Sequence, residues 1–212
     1  MKKIIFFLLF LSLAFPVHGE DVMKEINLPA PSLKGDMSLE ETLQTRRSIR
    51  NYSEKELSLE QISQILWSAQ GITNQRGFRT SPSAGAGFPL EIYLATKDGL
   101  FKYVPQENKL LQKNNKDIRK DLSRQGFFKQ VPIIIIFCAI YERVNSRYGE
   151  RGVRYTDMEV GHAAQNVHLQ AVALGLGSVP VGAFNDDNAR NLLQLPENEV
   201  PLYFVPVGYE SE

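Results

Sequence analysis

The 212-residue chain has one cysteine, Cys138, so no disulfide can form within it. That cysteine lies in the apolar run PIIIIFCAI (132–140), where a thiol acts as a small core residue rather than a nucleophile. Metal-ligand spacing is missing too: there are three histidines, no second cysteine and no His-x-x-x-His pair, which argues against a metal centre. His162 and His168 are six positions apart, do not share a helix face, and read as packing or surface residues. The charges cancel. Lys plus Arg and Asp plus Glu number 24 each, a balance that disfavours a nucleic-acid or general membrane-surface binder. There is no G-x-S-x-G elbow, no G-x-G-x-x-G fingerprint and no Gly-Lys-Ser/Thr phosphate loop. The carboxylate pair Asp186-Asp187 falls where a loop or helix cap is expected. Lacking a nucleophile, a metal and an acid pair, the chain points to chemistry carried by a bound organic cofactor.

What is present begins with MKKIIFFLLFLSLAFPVHGE. Lys2 and Lys3 precede an apolar run, followed by Pro16 and the small-residue exit Val17-His18-Gly19, the pattern of a secretory signal cleaved near Gly19. The run is short for a spanning helix, which needs about 20 residues. Residues 1–19 are therefore expected to be a signal peptide that exports the chain to the periplasm or cell exterior, with no stable membrane insertion afterwards. Residues 20–37, with Pro29, Pro31 and Gly35, read as an irregular leader, and 38–212 as one domain, long enough for a sizeable core.

Ser38 and Glu41 form a capping box that starts a short helix through about Thr45. Ser58 and Gln61 form a second, followed by the stripe Ile62, Ile65, Leu66, Ala69 and the stop Gly71. Residues 72–89 read as a long loop, a length that is usually functional or disordered. LEIYLAT (90–96) and GLFKYVP (99–105) predict a hairpin turning at Asp98-Gly99. Residues 117–129 suit a helix, and 132–140 a central strand covered on both faces. A helix is expected from about Asp157 to Leu174, with the core stripe Val160, Ala164, Val167, Ala171 and Leu174. A short helix near 187–194 and a last strand over 200–209 complete the chain. Strands and helices without regular βαβ alternation predict an α+β fold.

Three stretches carry the functional signal. RRSIRNY (46–52) concentrates Arg46, Arg47, Ser48 and Arg50. Such forks and a hydroxyl suit a bound phosphate, while one arginine alone would simply suit a helix C-terminus. SPSAGAGFP (81–89) is small and Gly-rich, which lets backbone approach a flat ligand, and it is equally readable as a flexible loop. GHAAQNVHLQAVALGLGSVPVGAF (161–184) carries Gly161, Ala163 and Asn166, read as a small face open to a helix or ligand.

In this order, RRSIRNY, SPSAGAGFPLEIYLAT, RYTDMEVGHAAQNVHLQAVALGLGSVPVGAF and PLYFVPVGY resemble the nitroreductase family of FMN-dependent oxidoreductases, closest to its SagB-type dehydrogenase branch. The resemblance spans about Met37 to Tyr209. It implies a mixed, mainly antiparallel sheet flanked by helices, and a homodimer with FMN at the interface. It assigns Arg46, Arg47, Ser48 and Arg50 to the FMN phosphate and ribityl chain. Pro82, Ser83, Ala84, Gly85 and Ala86 are assigned to the isoalloxazine ring, usually from the other subunit. Pro180, Val181, Gly182 and Ala183 would lie against the flavin, with Asn166 near it. Many relatives have asparagine at the position of Ala86. Many also supply a late Lys or Arg beyond PVG, where this chain has only Tyr209 to Glu212, which implies weaker FMN binding. Arg151, Arg154 and Tyr155 are candidates for facing substrate, or equally surface residues. Lys102-Tyr103 matches a Lys-Tyr pair of cyclodehydrated-peptide oxidases, but falls in a predicted hairpin. The implied chemistry is hydride or electron transfer at flavin N5, with a small molecule or peptide as substrate and an unidentified electron donor or acceptor. No acid or base side chain is singled out. A non-catalytic flavin or metabolite binder, and a nicotinamide-dependent nitroreductase retained in the cytoplasm, remain alternatives.

Overall fold

The structure, a computed structural model, describes residues 24–211. The expected signal peptide, residues 1–19, lies outside them. Seven strands build one sheet: β1 Glu25–Asn27, β2 Leu90–Thr96, β3 Gly99–Val104, β4 Lys109–Asn114, β5 Ile133–Ala139, β6 Gly177–Ser178 and β7 Val200–Gly208. Their order is β1-β4-β3-β2-β5-β7-β6 and each pairing is antiparallel. Among the described residues, parallel pairing is confined to a single bridge, Ser48 to Ser178. Among the described residues five helices flank the sheet: α1 Leu39–Thr45, α2 Leu59–Gln70, α3 Glu142–Tyr148, α4 Arg151–Ala173 and α5 Asp186–Leu193. Among the described residues no helix is long and apolar enough to cross a membrane. The α+β expectation therefore holds.

β5 is fully buried along its length, as a central strand with both faces covered must be. Its odd positions Ile133, Ile135, Phe137 and Ala139 join the core beneath α2 and α4, where Ile65, Leu66, Val160, Ala164, Val167 and Ala171 pack. Its even positions Ile134, Ile136 and Cys138 face the second core, closed by Phe128, Leu193 and Phe204. Burial pushes the Cys138 thiol well above its ordinary pKa, so it stays a neutral core group.

Both capping boxes are formed as the spacing predicts. The β2–β3 turn needs its glycine: Gly99 has φ +131°, and a Cβ there would lie 2.2 Å from the Asn114 carbonyl oxygen. Other expectations fail. Residues 117–129 form two 3₁₀ turns, Arg119–Asp121 and Gly126–Lys129, rather than a helix. Arg119 is claimed by tertiary partners instead, donating to the Asp117 carboxylate and to the Val131 and Pro132 carbonyls. The long helix starts at Arg151 rather than Asp157, because Gly152 lets its first turn press on Asn145 of α3. α3 itself, with Val144 as its one buried residue, offers no apolar stripe to read. The leader contains strand β1, which pairs with β4.

Phe137→Ala should lower the unfolding free energy by about 3–5 kcal/mol, the cost of an aromatic cavity in a packed core. Ser58→Ala should cost only about 1 kcal/mol, the value of one N-cap. Urea unfolding of both variants checks this; a Phe137→Ala loss no larger than that of Ser58→Ala would contradict the two-faced burial of β5.

Candidate functional site

The arginine segment leaves the C-terminal end of α1 and is bound immediately to the β6 edge. The Ile49 amide donates to the Ser178 carbonyl at 3.0 Å. Arg46 reaches across to α4, its Nη1 lying 2.8 Å from His168 Nε2. A guanidinium can only donate, so Nε2 accepts, and the imidazole proton sits on Nδ1. Nδ1–H then donates to Ser178 Oγ at 2.5 Å. Burial, reinforced by the Arg46 charge, holds the His168 pKa down at about 4, so the ring is neutral at physiological pH. His168 was legible in sequence only as a packing or surface residue. It is buried, and it also fixes the direction of the first arginine.

The four phosphate candidates are therefore not equivalent. Arg46 has one guanidinium nitrogen engaged and is half-buried. Arg47 donates from Nη1 to the Gln44 and Arg46 carbonyls, capping the end of α1. That is the ordinary helix-terminus role of a cation. Ser48 and Arg50 are exposed, and among the described residues the Arg50 side chain makes no hydrogen bond or ion pair. The bridge from Ser48 to Ser178 places this segment beside the turn that begins at Pro180. In that turn Val181 pairs with Phe204 in both directions, while Gly182 and Ala183 are exposed.

The 82–86 stretch is an ordered turn rather than a floppy loop. Ala84–Ala86 form a 3₁₀ turn, and Ser83 Oγ accepts from the Phe88 amide at 2.8 Å. Three residues here are left-handed: Gly85 at φ +60°, Ala86 at +55° and Phe88 at +43°. For the last two this costs about 1–2 kcal/mol each, strain of the kind stored at ligand-contacting turns. A Cβ at Gly85 would lie 2.8 Å from the Tyr148 hydroxyl, so α3 seals one side.

α4 stands between these two halves. Asn166 donates to the Thr80 carbonyl and to Ser81 Oγ, tying down the approach to the 82–86 turn. His168, two positions on, is roughly 200° around the helix and holds Arg46. Among the described residues no hydrogen bond or ion pair joins 46–50 to 82–86. Nor do Gly161 and Ala163 share a face: Ala163 is buried in the core and Gly161 looks outward. Tyr155 packs edge-on against Tyr148, while Arg151 and Arg154 are exposed. Lys102 pairs with Glu91 at 2.9 Å, and the buried Tyr103 hydroxyl donates to Asn108. A cleft of about 720 Å³ lies between residues 30–37, α1, α2 and α4, and Asn166 is the one predicted site residue lining it.

Beneath the 82–86 turn lies a carboxyl the sequence did not flag. Glu159 is buried on α4 and its Oε2 has no hydrogen-bond partner. Burial raises its pKa to about 7, against the opposing pull of Ser83, Gln70 and the Arg79 charge. A raised folded-state pKa means that the protonated form stabilises the fold. That contribution is complete below pH 4.5 and lost as pH climbs through about 7. Glu159→Gln should therefore match the wild type near pH 4.5 and exceed its stability at pH 8 by about 1–3 kcal/mol, allowing for partial solvation. Thermal melts of both proteins across that range check the sign; a variant less stable at pH 8 would contradict it.

Comparison with known proteins identifies the family. The profile described as "Nitroreductase family" matches residues 43–209. A Methanocaldococcus jannaschii protein named as a nitroreductase is 43% identical over 198 residues, covering 89% of this chain and 98% of that one. Bacillus subtilis FMN reductase (NADPH) is 24% identical over 185 residues, covering 81% of this chain and 65% of that protein. The crystal structure of a protein named as a nitroreductase from Ralstonia eutropha JMP134 superposes with a TM-score of 0.84 at 29% identity, covering 89% and 90% of the two chains. With the profile spanning most of the domain and the fold superposing across it, this chain belongs to the nitroreductase family.

Proposed function

We propose that this nitroreductase-family oxidoreductase binds FMN between two copies of itself and acts after export, as a dehydrogenase of the SagB type on a small molecule or peptide. The observation that carries the reading is the arginine segment. Arg46 is held by a neutral histidine, and Ser48 and Arg50 stand exposed beside the 180–183 turn. Two arginine forks and a hydroxyl there match a phosphate monoester. Gly182 and Ala183 leave room for the flat end of the cofactor, and the left-handed 82–86 turn offers backbone to its ring. FMN, when bound, supplies two-electron chemistry at N5. The chain's residues orient it and exclude water.

Where the halves sit supports a homodimer. One chain keeps its arginines and its 82–86 turn at opposite edges of α4, so a second copy is needed to bring a turn to each arginine segment. Leu33, Leu39, Leu43, Val153 and Met158, on the leader, α1 and α4, are exposed apolar side chains of the kind that pairing covers. The name of the Bacillus subtilis relative favours a second reading, a nicotinamide-driven FMN-dependent reductase. Export distinguishes the two, because a periplasmic enzyme lacks a nicotinamide supply. N-terminal sequencing of the mature protein should begin near Glu20; a retained Met1 would overturn export.

Arg46→Ala/Arg50→Ala should lose bound FMN on desalting, each lost charge-assisted contact weakening retention about tenfold or more. Arg47→Ala should act mainly on α1 stability and keep most of the flavin. Absorbance of the desalted proteins reads the outcome, and a double variant as yellow as the wild type would sink the phosphate assignment.

A further inference from the structure

A second pocket, of about 370 Å³, opens between the end of the 82–86 turn, the β2–β3 edge and α3. Its wall carries three cations, Arg79, Lys102 and Arg143, and one carboxylate, Glu91. Glu91 uses one oxygen for Lys102, at 2.9 Å, and the other for Arg143. It thus holds both cations in place while cancelling only one charge. Arg79 is not neutralised within the pocket. Its Nη1 donates to the neutral Gln70 amide at 3.1 Å, its plane lies over the Phe88 ring, and its buried Nε has no partner. A desolvated guanidinium N–H left unpaired is costly, and Arg79 keeps its charge without a carboxylate partner of its own. Arg143 also donates to the Phe88 carbonyl at 3.0 Å, which pins the rim of the pocket to the turn. Phe88 and Pro105 add apolar surface to the same lining. Lys102, matched in sequence to a Lys-Tyr pair, is a cation on that wall, while the Tyr103 hydroxyl points to Asn108.

We propose that this pocket is an anion site separate from the arginine segment, taking the carboxylate or phosphate head of a small organic molecule whose apolar part rests on Phe88 and Pro105. The excess of two positive charges selects the anion. The fixed forks of Arg79 and Arg143 select a planar or tetrahedral oxyanion over a halide.

The test is isothermal titration of the full, FMN-saturated protein with benzoate and with inorganic phosphate, at constant ionic strength in chloride. Binding of one anion per chain is expected. It should weaken at least about tenfold in Arg143→Gln and in Lys102→Gln, each of which removes one charge-assisted contact. It should persist in Lys97→Gln, an equal charge change elsewhere, and in Arg46→Ala/Arg50→Ala titrated without flavin, which removes the other anion site. Tighter benzoate binding assigns a carboxylate ligand, and tighter phosphate binding a phosphate ester. Heat from neither probe, or binding that survives both pocket variants, would overturn the proposal. So would binding lost in Arg46→Ala/Arg50→Ala. Because the arginine-segment variant keeps this pocket intact, failure of the flavin assignment would leave the anion site standing, and the reverse.

Discussion

One helix sets the terms for the rest of this molecule. α4 must bury its apolar stripe against the sheet, and that fixes its rotation. Val160, Ala164, Val167 and Ala171 are committed to the core. Once they are, His168 can only fall at one edge of the buried face and Asn166 at the other. Each edge then collects a piece of the site. His168 takes Arg46, and Asn166 takes the strand of chain that leads into the 82–86 turn. The packing that stabilises the monomer thus keeps the two halves of the proposed cofactor site apart, which is the basis of the proposed pairing of two copies.

The electrostatics follow the same division. The chain is neutral overall, yet each site sets its own balance between burial and charge. His168 is driven neutral by burial beside Arg46, which leaves the guanidinium charge uncancelled. Glu159 is driven towards its neutral form by burial beneath the 82–86 turn. Glu91 goes the other way: Lys102 and Arg143 outweigh its desolvation and hold its pKa below the usual carboxylate range. Net charge, which disfavoured a nucleic-acid partner, says nothing of these individual balances.

Much of the fold was legible. The strand 90–96 and the two capping boxes stand where the spacing put them, because each is fixed by local chemistry. β5 was readable as central because a continuous apolar run can only be satisfied on both faces. The failures have a common cause in tertiary contacts. Residues 117–129 look helical by composition, but Arg119 finds better partners across the chain than along it. α3 and β4 have too little apolar periodicity to announce themselves. At the site, the clustering of the arginines was readable, but the division of labour within the cluster was not. Nothing in RRSIRNY tells that Arg47 caps a helix while Arg46 is aimed by a histidine 122 positions away.

The central claim is that each site is assembled from two chains, and complementation between two defective chains tests it most directly. One chain would carry Arg46→Ala/Arg50→Ala and the other Ala84→Trp, co-expressed with different tags and purified as the mixed pair. Each variant alone should be colourless. In the mixed pair the intact arginines of one chain meet the intact turn of the other, so the account predicts one bound flavin for every two chains. A mixed pair as colourless as its parents would mean that a single chain builds the whole site, and that α4 does not divide it.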